Sequence, residues 1–156
     1  MRTIKQLLMM VALLLCSVTS NAYDFEVNGI YYNIISTSDL TVEVTNGDNK
    51  YSGAVIIPST ITYKAKTLSV ISIGHSAFKD CYGLISCVIG NNVTNIKQYA
   101  FRGCSNLTSV TIGENVANIE HDAFADCNNL RWVVIPDSVE SIGGTAFFNC
   151  INLVGV

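Results

Sequence analysis

Apolar and polar residues alternate in short runs along this chain, and the runs recur at a fixed distance. Val110-Thr111-Ile112 is one such run, with the period of two that a β-strand requires. Ahead of it stand an Ala-Phe pair, a Cys and a Leu, so that residues 100–112 read AFRGCSNLTSVTI. Residues 123–135, AFADCNNLRWVVI, repeat the order. Ile73, Ile96, Ile119 and Ile142 fall 23 residues apart, and three further columns keep the same offset. They are Phe78, Phe101, Phe124 and Phe147, then Cys81, Cys104, Cys127 and Cys150, then Leu84, Leu107, Leu130 and Leu153. Self-similarity at a short fixed period marks a repeat architecture.

A unit of 23 residues cannot bury its own Phe and Leu, so each copy must stack on the next and the columns become ladders inside a solenoid. One strand per repeat, at about 4.8 Å spacing, makes a parallel sheet. The predicted fold is a repeat solenoid, mainly β, of stacked parallel strands joined by short helical or irregular turns. Ser76, Asp122 and Thr145 precede three of the four Ala residues and can cap a brief helical start, although Tyr99 breaks that pattern. Gly83, Asn106, Asn129 and Asn152 precede the Leu column, and these residue types predict a left-handed residue there. Gly90, Gly113 and Pro136 follow the strand; proline holds φ at about −65°, so this turn needs no positive φ.

Residues 23–69 lack the period. FEVNGIYYNII sets Asn28-Gly29 between alternating apolar residues, a type I′ hairpin signal, and LTVEVTNGDNKYSGAVII offers another turn at Asn46-Gly47. Both predict a β-hairpin cap over the first repeat, whose bare parallel strand would be an aggregation edge. The expected division is a leader at 1–22, the cap with a first partial repeat over 23–69, and about four repeats over 70–156, the last incomplete. Val154-Gly155-Val156 then leaves a bare strand edge, to be covered by a partner copy or by more of a longer parent.

The unit I-x-x-x-A-F-x-x-C-x-x-L-x-x-V-x-I-[GP]-x-x-V-x-x resembles the BspA-like type of leucine-rich repeat. The resemblance covers residues 70–156 and, weakly, VIIPSTI at 55–61, a strand and turn ahead of a nine-residue insertion. It implies a curved or gently twisted solenoid, exported by bacteria or displayed by certain parasitic protists, and used for attachment to host or neighbouring surfaces.

The first residues agree with export. Arg2 and Lys5 form a basic start, Leu7 to Val18 an apolar run, and Ser20 and Ala22 a small-residue cleavage site, which together read as a secretory signal cut after Ala22. A rival reading makes Cys16 a lipid acceptor, but Leu15 stands where such signals resemble one another in a small residue. The run is shorter than the roughly 20 residues of a spanning helix, and no other stretch is long enough, so no integral membrane segment is expected in the mature chain. Losing the leader takes the formal charge from −3 to about −5. Lys and Arg are scattered, which excludes a nucleic-acid footprint.

Candidate chemistry is sparse. The cysteine column admits disulfides between neighbouring rungs, buried free thiols acting as small hydrophobes, or zinc. Five cysteines in the mature chain cannot all pair, and one per rung does not converge four ligands, so free thiols are the favoured reading. His75 and His121 share a column two rungs apart, about 10 Å by strand spacing, too far for one metal. Asn92-Val93-Thr94 and Asn106-Leu107-Thr108 fit the glycosylation sequon, which has meaning only in a eukaryotic source. No G-x-S-x-G, P-loop or H-E-x-x-H pattern occurs; no enzyme activity and no cofactor are expected.

The outward strand positions are the better site. They are Ile85, Ser86 and Val88, then Thr108, Ser109 and Thr111, then Arg131, Trp132 and Val134. An exposed Trp beside an Arg is a pairing enriched at binding hot spots. The alternative is that Trp132 folds down onto a neighbouring turn or covers the last rung. The expected function is a secreted or cell-surface, non-enzymatic binding module, adhering to an extracellular protein or glycan through this face. The alternative is a self-assembling surface protein that stacks through its C-terminal edge.

Overall fold

The computed structural model describes residues 22–155; the expected leader up to residue 21, with Cys16, and Val156 lie outside the described residues. Twelve strands occur among them, with no helix, so none is long and apolar enough to cross a membrane. The chain is a solenoid of two facing sheets. The smaller sheet runs β11-β9-β7-β4, built from Trp132–Val134, Ser109–Thr111, Leu84–Ile89 and Gly53–Ile57, all parallel. The larger carries the other half of each turn of the coil: β6 (Lys66–Ile73), β8 (Asn95–Ile96), β10 (Asn118–Ile119) and β12 (Ser141–Ile142), again parallel.

The N-terminal cap extends the larger sheet. β1 (Phe25–Val27), β2 (Ile30–Ser36) and β3 (Thr41–Thr45) are antiparallel to one another, and β3 pairs in parallel with β6. Asn28 and Gly29 have φ of 52° and 79°, the left-handed pair that a type I′ turn demands. Asn46-Gly47 is not a hairpin. There the chain leaves β3 and crosses to β4 in the other sheet, and Gly47 is needed because the Tyr31 ring fills the space of a Cβ. The nine-residue insertion falls in a hairpin of β5 (Thr60–Tyr63) and the first part of β6, turning at Lys64 and Ala65.

Between the sheets the columns form ladders. The rings of Phe78, Phe101, Phe124 and Phe147 stack at 4.7, 5.0 and 5.3 Å. Leu84, Leu107 and Leu130 are fully buried beside them, whereas Leu153 and Phe147 on the last rung are half-buried. The five cysteines of this region are free. The column has a further reason to be Cys: the Cys104 thiol donates to the Phe78 carbonyl at 3.0 Å, Cys127 to Phe101 at 3.2 Å and Cys150 to Phe124 at 3.1 Å. A methyl group would fill the space but leave that acceptor without its second bond.

Two expectations about the turns are corrected. The Ala-Phe segment is not helical: Ser76, Tyr99 and Asp122 have φ of 57°, 60° and 55°, opposite in hand to a helix cap. Its amides alternate. Ser76, Phe78 and Asp80 donate forward to Gln98, Ala100 and Arg102, while Ala77, Lys79 and Cys81 donate back within the turn, so every buried N–H is paired without a helix. The second left-handed position is also not at Gly83, Asn106, Asn129 or Asn152. It lies at Asp80, Gly103, Asp126 and Asn149, just before the cysteines. The asparagines serve instead as links between rungs, Asn106 donating to the Tyr82 carbonyl at 2.8 Å and Asn152 to Asn128 at 2.7 Å. Gly90 and Gly113 lack positive φ; they are small because a Cβ at Gly113 would lie 2.5 Å from the Gly90 carbonyl oxygen.

Candidate functional site

Strand register decides what the smaller sheet shows to solvent. Ala54, Ser86, Ser109 and Trp132 are aligned across it in one row, and Ile56, Val88, Thr111 and Val134 in the next. The residues between them, Val55, Cys87, Val110 and Val133, point into the solenoid, and the last three are buried. The outer rows carry Ile56 at 69% exposure, Trp132 at 59% and Val134 at 75%, with Val88 also exposed and Ser86 half-buried; Ile85, at the register shift outside the rows, is exposed as well. All seven predicted face residues, Trp132, Arg131, Val134, Ser109, Thr111, Ser86 and Val88, therefore share one strip of sheet or its margin.

Arg131 stands at the strand's start, outside the two rows but exposed, and its backbone carries the rung ladder through bonds to Thr108 and Val154. Thr108 turns its hydroxyl back to the Ile85 carbonyl at 3.0 Å. Trp132 does two things at once. Its ring edge lies where a side chain at Gly155 would go, 2.8 Å from that Cβ position, and most of the ring remains open to solvent. A shallow hollow of about 630 Å³ adjoins the strip, between Thr111, Glu114, Val134, Pro136 and Asp137. It brings two carboxylates to the border of the apolar rows.

Ala54 and Ile56 were not anticipated as members of this face. Their signal is the resemblance of residues 55–61 to a strand and turn, which places a strand there ahead of the insertion but assigns no outward positions on it. Glu114 and Asp137 lie on a shared turn column and carried no motif.

The other candidates do not converge. His75 packs edge-on against Tyr99 at 5.5 Å, and His121 stands exposed two rungs away. Among the described residues, no three His, Cys, Asp or Glu side chains gather. Burial pushes the Cys81 thiol up to about 11 and raises Cys87 as well; Cys127 is raised by the neighbouring Cys104 thiol and then by burial. Raised thiols are protonated and poor nucleophiles at neutral pH. The sequon asparagines are engaged as rung links, Asn92 on the Ser69 hydroxyl at 3.0 Å and Asn106 on the Tyr82 carbonyl.

The family model described as a BspA type leucine-rich repeat region matches six copies over residues 55–154. The chain belongs to the BspA-type leucine-rich repeat family. Solved leucine-rich repeat structures agree with it. A leucine-rich repeat protein from Bacteroides ovatus is 34% identical with a TM-score of 0.75, over 81% of this chain and 33% of its own. A leucine-rich cell surface protein from Faecalibacterium prausnitzii is 30% identical with a TM-score of 0.70, over 83% and 35%. The leucine-rich repeat protein of T. pallidum is 25% identical with a TM-score of 0.67, over 83% and 69%. This BspA-type chain thus spans about a third of the length of the first two. No curated protein matched it. The six copies begin at residue 55, so β4 and the inserted hairpin belong to the repeat array.

Proposed function

We propose that this chain is a secreted or surface-displayed, non-enzymatic binding module that holds an extracellular protein or glycan against the outer face of its smaller sheet. The observation that carries the reading is the pair of registered rows, in which four rungs set Ile56, Val88, Thr111 and Val134 beside Ser86, Ser109 and Trp132. An exposed strip of apolar side chains interleaved with hydroxyls and bordered by carboxylates has the composition of a binding surface. Trp132 is the anchor, with Arg131 at the rim. The likeness to a cell surface protein supports the location, and the leader-like start supports export.

The test is a binding screen of residues 23–156 against immobilised extracellular-matrix proteins and glycans, with Trp132→Ala alongside. The expected result is a hit that Trp132→Ala weakens by about tenfold or more while its stability changes by less than about 1 kcal/mol. A hit that the variant leaves unchanged removes Trp132 as the anchor.

A second reading rests on the last rung, where Phe148, Ile151 and Val154 are 62%, 71% and 71% exposed. We infer from it the self-assembling alternative, in which copies of the chain stack through this edge. Light scattering that shows a monomer at high concentration removes this reading.

A further inference from the structure

The smaller sheet has an open edge at β4. Its neighbour on one side is β7, and among the described residues no strand pairs on the other. Ordinary protein edges are blunted by charge, proline, bulges or shortness, because unpaired N–H and C=O groups invite another chain. The remaining edges obey this. β1 is three residues with Glu26 at its centre, β12 is two residues, β11 is bridged to Gly155, and β5 turns into Lys64 and Lys66. β4 reads Gly-Ala-Val-Ile-Ile, five residues without a charge, and its one irregularity lies at its first residue.

The register shows which groups are free. The Gly53 amide donates to Gly83 and the Ile85 carbonyl accepts from Thr108, and in a strand the backbone groups of alternate residues point to opposite sides. Val55 and Ile57 therefore serve the β7 ladder, and the N–H and C=O of Ala54 and Ile56 face away from it. Among the described residues, no backbone bond outside the β4–β7 ladder reaches Ala54, Val55 or Ile56. Along this edge lies a groove of about 450 Å³. Its far wall is the β1–β2 hairpin, with Asn28 in the turn and Tyr31 on β2, and its end is Asn49 to Ser52.

We propose that the β4 edge and this groove take an extended peptide by strand addition, with main-chain bonds to Ala54 and Ile56. The free groups are main-chain donors and acceptors on an uncharged strand of five residues, and the groove beside them, at about 450 Å³, is too small for the sheet of a second folded copy, so the occupant is a strand-forming segment of a partner protein. Affinity comes from main-chain bonds and selectivity from side chains that alternate between the Ile56 side and the Tyr31 wall. The site is three strands from Trp132, about 14 Å by strand spacing; it shares the Ile56 side chain with the sheet-face strip but rests on the free backbone groups of Ala54 and Ile56, which that reading does not use.

The probe is an acetylated, amidated peptide of alternating Thr and Val with a C-terminal Lys tail, titrated into residues 23–156. The readouts are NMR shifts and amide hydrogen exchange. The expected result is saturable binding that slows exchange at Ala54 and Ile56 by about tenfold or more. Ile56→Pro removes a donor that no internal bond uses, a position where an edge strand tolerates proline, and should weaken binding by about tenfold while Trp132→Ala does not. If Ile56→Pro disturbs the fold, the same peptide N-methylated at alternate residues tests the bonds from the other partner, and should not bind. Absence of binding at millimolar peptide overturns the proposal. So does binding that neither Ile56→Pro nor N-methylation weakens, and so does a wild-type dimer that Ile56→Pro dissociates, which would give the edge to a second copy.

Discussion

Among the described residues the first and last rungs of the aromatic ladder are covered differently. At the N-terminal end Tyr51 takes the place of the next Phe, 4.3 Å from the Phe78 ring and 6% exposed. Its hydroxyl donates to the Thr45 carbonyl at 2.6 Å and accepts from the Tyr31 amide at 3.0 Å, which ties the ladder to the antiparallel cap. At the other end Phe147 stacks in parallel on Phe124 but is half-buried, with Phe148 and Ile151 open beside it. The side chains are nearly alike; the cover is not. A rung in such a stack takes its stability from what lies above and below it more than from its own residues.

The contrast can be broken first at the ring column. Phe101→Ala, between two stacked neighbours, should cost about 3–5 kcal/mol in urea unfolding. Phe147→Ala should cost about 1–2 kcal/mol, because less of the ring is removed from water. Equal losses would mean that the last rung is covered in solution.

Next comes the tie at the closed end. Tyr51→Phe leaves the Thr45 carbonyl and the Tyr31 amide without their partner and should cost about 1–3 kcal/mol. Tyr32→Phe is the control. Its hydroxyl is buried with no partner, so the loss should be within about 0.5 kcal/mol of zero or a gain. Matching losses from the two, read by thermal melts, would show that packing and not the hydrogen bonds holds the cap.

The smallest effect is in the thiols. Cys150, half-buried, should react with a thiol reagent before Cys81, which is 1% exposed and pushed up to about 11 by burial. The sign for stability follows. Between the ordinary 9.0 and about 11 the unfolded chain loses the Cys81 proton while the folded one keeps it, so the unfolded state gains and stability falls as pH rises. Tyr32, raised by burial to about 12, extends the fall upward from 10.0. Unfolding midpoints at pH 8 and pH 10.5 should therefore differ by a few degrees, the alkaline value being lower. A flat profile would sink the buried-thiol account.

The ladders, the parallel strands and the Asn28-Gly29 turn were legible in the sequence because each is a property of period or of a turn's own chemistry. What stayed hidden is local hand and cover. Gly and Asn before the Leu column have the composition of a left-handed position, yet Asp80, Gly103, Asp126 and Asn149 carry it, a column whose residue types tolerate positive φ equally well. Composition does not choose between two such columns three residues apart. Lys64-Ala65 makes a left-handed hairpin turn without Gly or Asn, and nothing in those two residues signals it. The outward face was legible from alternation, but Trp132 against Gly155 is a contact that occurs once, and the open β4 edge is a fact about missing neighbours. Periodicity carries neither.

The equal spacing of the rungs also has a mechanical side. A pull along the solenoid axis loads every rung in series, and each repeat that peels away releases 23 residues, roughly 80 Å of extended chain. The same ladders resist at every step, so a tether built on this stack lengthens by even increments, dissipating the work of the pull before the load reaches the closed, aromatic end.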